Sequence, residues 1–201
     1  MTDERRAREP ASWQPVTQEL LATRRDLPDL QVGGATYFIT FRLCRPGESG
    51  RWPAASRKNS PPTGGWPSPL TEAERAVVRD EILYWHGSRW HVHILTVMPD
   101  HVHLLATPLE VTKGHWYSLT TIVHSLKLGT ARKVNHLRGR QGRLWQSERF
   151  DRIVASQAEF EQKSDYILGN ATRAGLTQDA LSYDGFWCES MDQEFETKLG
   201  G

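Results

Sequence analysis

The stretch Met98-Pro-Asp-His-Val-His-Leu-Leu-Ala-Thr-Pro108 decides how this 201-residue chain is read. Pro99-Asp100 is a turn signal, and the residues on both sides alternate in the two-residue period of strands. The turn therefore joins two strands, His91 to Val97 and His101 to Thr107, as a hairpin. Side chains two apart on a strand share a face. His101 and His103 thus project side by side just past the turn, while Val102, Leu104 and Ala106 point the other way. Two imidazoles so placed are a natural pair of metal ligands. His91 and His93 form a second His-x-His on the preceding strand, which shows how weak that spacing is alone. The 101/103 pair is favoured by its position beside the turn, and His93 reads as a packing residue or a support for the ligands.

Working outward, Thr36 to Leu43 (TYFITFRL) is dense in β-branched and aromatic residues and reads as a buried strand. Residues 45–69, with Pro46, Pro53, Pro61, Pro62 and Pro67 among Gly and Ser, read as a long loop. Thr71 is the expected N-cap of a helix running to about Trp85, with Glu74 completing a capping box. A second helix is expected over Tyr117 to Asn135, then a basic loop from Arg138 to Arg143. A last helix starts at a Ser156 cap with Glu159 three residues on, and ends near Asn170. The order β-α-β-β-α, followed by a further helix, is that of an α+β sheet with helices packed on it. A polar lead-in (1–34) precedes the main domain (35–187), and an acidic tail (188–201) follows it.

The length suits one domain with appendages, large enough to bury a core without staples. Cys44 and Cys188 stand alone, which fits a reducing compartment and does not suggest a disulfide scaffold. The charged Met1–Pro10 segment and the lack of any long apolar run lead to the expectation of a cytoplasmic protein. Net charge is only +1, but it is unevenly spread. From Lys113 to Arg152 there are nine Lys or Arg against two acids, and from Gln157 to Gly201 nine acids against three bases. A basic middle is either a surface facing phosphate or a solvated helix face. The chain has eight Trp; Trp116 and Trp145 read equally as base-stacking or as core residues.

On the last helix, Tyr166 and Asn170 are four apart and so share a face. Tyr166 taken alone is an ordinary core tyrosine. If its helix packs near the histidine pair, Asn170 can offer a metal its amide oxygen while Tyr166 faces the adjacent phosphate.

The string MPDHVHLL preceded by YFITFRL resembles the transposase domain of the single-tyrosine HUH superfamily. LWQSERFDRIV (Leu144 to Val154) and YILGNATRAGL (Tyr166 to Leu176) are similar to the REP-associated tyrosine transposases in particular. The likeness spans about residues 36 to 187, with four motifs in order. It implies a ferredoxin-like antiparallel sheet, with His101 and His103 on a central strand and the Tyr166 helix laid near them. It further implies that His101, His103 and Asn170 bind a divalent metal, Mg²⁺ or Mn²⁺, and that Tyr166 is the catalytic nucleophile. Lys127 falls in the family's Ser-x-Lys helix, which contributes to DNA contacts, and Arg132, Lys133, Arg138, Arg140 and Arg143 are expected to join it. The implied activity is cleavage and rejoining of single-stranded DNA beside a hairpin, a REP-like palindrome, through a 5′-phosphotyrosine, by a monomer or homodimer. A hairpin-binding protein that no longer cuts is the alternative, and a metal-dependent hydrolase without a covalent step is a third. Ala171 stands where the family usually has proline, and Gly169 precedes the ligand position; a glycine there loosens a helix by roughly 1 kcal/mol.

Overall fold

The computed structural model describes residues 31–44 and 67–190. The expected lead-in and acidic tail fall almost entirely outside those residues, as does all of the Pro-rich stretch except 67–69. In chain order the elements are β1 (Tyr37–Arg42), α1 (Glu72–Tyr84), β2 (Trp90–Val97), β3 (His101–Pro108), β4 (Glu110–Thr112), β5 (His115–Trp116), α2 (Leu119–Leu137), β6 (Phe150–Ile153), α3 (Gln157–Leu168), α4 (Asn170–Arg173) and β7 (Phe186–Cys188).

Local chemistry sets the helix starts. Thr71 and Glu74 exchange backbone and side-chain hydrogen bonds at 3.4 and 2.8 Å, closing the expected capping box. Ser118 caps α2 through the Thr121 amide, so that helix begins at Leu119, two residues later than expected. Ser156 caps α3 in the same way through Glu159.

The main sheet has the order β6-β1-β3-β2-β7, and every neighbouring pair is antiparallel. Its first four strands with α1 and α2 follow the ferredoxin-like plan, with β3 central and β7 added at the edge. One face carries Ile39, Phe41, Leu95, Val102 and Leu104, packed against Val78 and Ile82 of α1 and Ile122 and Leu126 of α2. Burying each such side chain contributes about 2 kcal/mol. The opposite face carries Phe38, Ile94 and Leu105 under Ile167 of α3 and Ala171 of α4. It also carries the histidines.

A β-bulge at His93 shifts the phase of β2. Val92 packs into the α1/α2 core before it, and Leu95 and Val97 do so after it. The tight turn between β2 and β3 is held from outside: Leu43 N–H donates to Asp100 O at 2.8 Å and Leu70 N–H to Pro99 O at 2.6 Å. Leu43 and Leu70, on two separate stretches of the described chain, are therefore both tied to the turn that presents His101.

Two features depart from the sequence expectations, and the environments of Trp145 and Trp116 bear on alternatives that the sequence left open. The Tyr166 helix stops at Leu168 rather than near Asn170, because Gly169 caps it and a separate four-residue turn begins at Asn170. Trp145 is core: its indole packs edge-on against Phe41 at 4.9 Å and donates to Thr130 Oγ1 at 2.8 Å. Trp116 is partly open at 37% exposure and lies over Gly33. The edge strands β6 and β7 were not anticipated; Tyr183 to Trp187 packs as part of the fold, with the Tyr183 hydroxyl donating to Val97 O at 3.1 Å. Among the described residues no helix is long and apolar enough to cross a membrane.

Candidate active site

His101 and His103 stand on the same face of β3, with ring centroids 4.6 Å apart. Each has an outer partner. His101 Nδ1 bonds Asp100 Oδ1 at 2.6 Å, and His103 Nδ1 shares a hydrogen bond with Thr40 Oγ1 at 2.7 Å. Thr40 is the cross-strand partner of His103 on β1, which explains that contact directly. With Nδ1 engaged as the donor, the Nε2 lone pair of each ring is left for a ligand, the tautomer that metal-binding histidines use. Burial, reinforced by the nearby His101 and Arg42, pushes the His103 pKa down to about 3. His103 is therefore uncharged at neutral pH, and a cation would have no proton to displace. The donor set and its outer partners fit a divalent metal.

Tyr166, in the last turn of α3, meets this pair. Its ring lies 5.2 Å from that of His103 and 6.1 Å from Phe38, edge-on to both, and Phe38 stacks on His103 at 5.6 Å. Tyr166 is 42% exposed, and its hydroxyl has no hydrogen-bond partner among the described residues. Asn170 Nδ2 donates to the Tyr166 carbonyl at 3.1 Å, which leaves the carboxamide oxygen as a free acceptor. Ala171 is buried in the core beneath.

Two cations near Tyr166 had no place in the sequence reading. The Arg173 guanidinium lies 5.0 Å over the Tyr166 ring and also donates to the Tyr166 carbonyl. Gly169 makes room for it, since a Cβ there would strike the Arg173 guanidinium. Lys163 Nζ sits 5.1 Å over Phe38. Spacing carried the signal: Lys163 and Arg173 lie three before and seven after Tyr166, both helical near-neighbour intervals.

Beside Thr40 opens a cleft of about 250 Å³, lined by Thr40, Phe41, Arg42, Gln146, Glu148, Arg149 and Phe150. Phe150 is 56% exposed, and its ring is edge-on to Phe38 at 6.4 Å.

The six basic residues singled out from sequence divide by environment. Arg132 is exposed. Arg140 keeps Nε and Nη1 without a partner among the described residues. Arg143 is partly buried. Lys133 pairs with Glu81, and Arg138 with the buried Glu74 at 2.5 Å. Lys127 donates to three carbonyls, Gln146 and Glu148 at 2.9 Å and Ser147 at 3.3 Å. Burial, with Arg149 nearby, pushes its pKa down to about 8. Lys127 thus braces a wall of the cleft. Lys127→Met keeps the stem but strands those carbonyls, so it is expected to cost about 2 kcal/mol in denaturant unfolding. Unchanged stability in that variant would mean that these three bonds do not brace the wall.

No protein-family model matches the chain, and no curated protein matches it. A solved structure does: a REP-associated tyrosine transposase bound to a REP hairpin, similar over 75% of this chain and 74% of that one, at a TM-score of 0.51 and 18% identity. At that identity the likeness is one of fold. The α+β architecture with its five-stranded antiparallel sheet is that of the transposase structure.

Proposed function

We propose that this chain is a metal-dependent strand transferase that cuts and rejoins single-stranded DNA beside a hairpin, with Tyr166 as nucleophile. The observation that carries this reading is the placement of Tyr166: an open phenol whose ring lies 5.2 Å from that of a buried, uncharged His103 already oriented by Thr40. The transposase of like fold was solved with a REP hairpin, which supports hairpin DNA as the substrate class.

His101 and His103, through Nε2, and Asn170, through its amide oxygen, would hold a divalent ion, Mg²⁺ or Mn²⁺. Such an ion, when bound, offsets the charge that gathers on a non-bridging oxygen of the scissile phosphate. The remaining work falls to side chains. Asp100 and Thr40 keep the two imidazoles in the ligating tautomer. Arg173 and Lys163 bring positive charge to the phosphate beside Tyr166. The Tyr166 oxygen forms a bond to phosphorus in line with the departing 3′-oxygen and gives its proton to solvent. The P–O3′ bond breaks, the 3′-oxygen leaves with the electron pair and takes a proton, and the 5′-phosphate stays on Tyr166. A 3′-hydroxyl attacking that ester reverses the step and joins strands without ATP, since the phosphodiester energy is conserved. The cleft beside Thr40 receives the unpaired strand, with Phe150 as a stacking face. Arg132, Arg140 and Arg143 contact backbone phosphate, and binding falls steeply with salt.

The test is direct. The protein is incubated with Mg²⁺ or Mn²⁺ and with hairpin oligonucleotides bearing a single-stranded flank, labelled at either end, and resolved on a denaturing protein gel. A covalent adduct carrying the 3′-side fragment, absent in EDTA, is the expected result. Binding without an adduct in either metal would mean a hairpin-binding protein that no longer cuts. Cleavage without an adduct would mean a hydrolase.

A further inference from the structure

The face of the sheet that carries His101 and His103 holds a second group of ligand-type side chains at its far end. His91, His93 and Glu189 each place a ligand atom within 4.8 Å of the others. The fold brings them together in two ways. His91 and His93, two apart on β2, share a face, and the bulge after Val92 sets that face on the α3 side, where the His93 ring meets Phe160 edge-on at 5.3 Å. β7 pairs with β2 through Cys188 opposite Ile94, so the next residue, Glu189, arrives beside the histidines. His91 Nε2 bonds Glu189 Oε2 at 3.0 Å, and His93 Nε2 bonds Thr107 Oγ1 at 2.9 Å.

The chemistry of this group is unusual for simple packing. The His91 and His93 ring centroids are 4.7 Å apart, and His86 adds a third imidazole 4.9 Å from His91. His86 Nδ1 already accepts from the Val92 amide at 3.2 Å, which makes it a neighbour rather than a ligand. Burial, with His91 and His86 nearby, pushes the His93 pKa down to about 3. Two adjoining imidazoles facing a carboxylate, with a ligand atom of each within 4.8 Å of the others, are a donor set for a cation.

We infer that His91, His93 and Glu189 form a second metal site, for zinc or a similar borderline transition ion, which clasps the C-terminal strand to the sheet. Two imidazoles and one carboxylate suit zinc, whereas magnesium asks for an octahedron of oxygens. Donors around a tetrahedral zinc lie about 3.4 Å apart, so separations up to 4.8 Å close with small side-chain rotations. Water completes the coordination. The site is distinct from the proposed catalytic one. His91 pairs with Thr107 and His103 lies four residues earlier on the same strand, a separation of about 13 Å. β7 is a three-residue edge strand held by β2 alone. A clasp just beyond its end would fasten the last described strand to the domain, and zinc would raise stability by mass action.

The inference is independent of the proposed nuclease activity, and the test keeps them apart. The full-length His101→Ala/His103→Ala protein, stripped of metal, is titrated with Zn²⁺ by calorimetry and with Co²⁺ by visible absorption. One equivalent bound, a tetrahedral Co²⁺ spectrum and a zinc-dependent rise in melting temperature are expected. His93→Gln and Glu189→Gln, each added to that background, should weaken binding at least about 100-fold. Should His93→Gln fail to fold, Glu189→Gln decides, since Glu189 is partly exposed and its amide still bonds His91. No zinc uptake by the double variant, or uptake undiminished in Glu189→Gln, overturns the inference.

Discussion

Tyr166→Phe is expected to abolish the covalent adduct and strand transfer while leaving fold and hairpin binding intact. The substitution removes one oxygen and nothing else. The ring contacts with His103, Phe38 and Arg173 belong to the aromatic carbons and persist. The lost hydroxyl leaves no described donor or acceptor stranded, so stability should change by under about 0.5 kcal/mol, as for surface positions. Activity is another matter, because removing a nucleophile leaves only the binding and electrostatic contributions, a loss of about 10⁴-fold or more. Single-turnover assays with labelled hairpins measure the loss, and a melting curve checks the fold. Cleavage that survives at more than a trace would sink the tyrosine mechanism and assign the attack to water. An adduct that survives would place the ester on another side chain.

The hairpin bearing His101 and His103 was legible because two short-range signals coincide, a Pro-Asp turn and a period of two in the flanking strands. The faces of β3 followed from that period, and the structure puts Val102, Leu104 and Ala106 in one core and Leu105 in the other. The phase of β2 was not legible, since a bulge is a one-residue slip that no local rule places at His93. His93 read only as a packing residue or a support for the ligands, and His91 was given no role. The edge strands β6 and β7 escaped because four and three residues are too few to display alternation. Lys127 was legible as a charge, but its carbonyl partners were not, because they lie 19 to 21 residues away in sequence. Arg173 could have been found from its spacing to Tyr166. The break at Gly169 hid it, as the helix pattern loosens before reaching it.

Glu74→Leu should be the most destabilising change outside the core, about 3–5 kcal/mol, the range for breaking a buried ion pair from one side. Glu74 and Arg138 meet through two hydrogen bonds of 2.5 and 2.6 Å, with both side chains largely buried. Losing the carboxylate leaves Arg138 with only the Ser68 and Pro69 backbone and the Ser68 hydroxyl, and it also opens the capping box of α1. Arg138→Leu/Glu74→Leu should recover a large part of the loss, because no uncompensated charge remains. The effect carries a pH signature. The Arg138 hydrogen bonds hold the Glu74 pKa below its usual 4.5. The pair therefore stabilises fully above that ordinary value, and its contribution disappears as pH falls through the depressed one. Urea unfolding at neutral pH should separate wild type from Glu74→Leu widely, and the gap should narrow on acidification below about pH 4.5. The same pair decides what Arg138 does for DNA. A guanidinium spent on Glu74 has no charge to offer a phosphate, so the double Leu variant should bind hairpin DNA with an unchanged salt slope. A slope reduced by about one unit would instead assign Arg138 a phosphate contact. The pair sits where the start of α1 meets the end of α2, at the root of the loop carrying Arg140 and Arg143, so its work is to hold that loop, and with it the phosphate contacts proposed for those residues, in place.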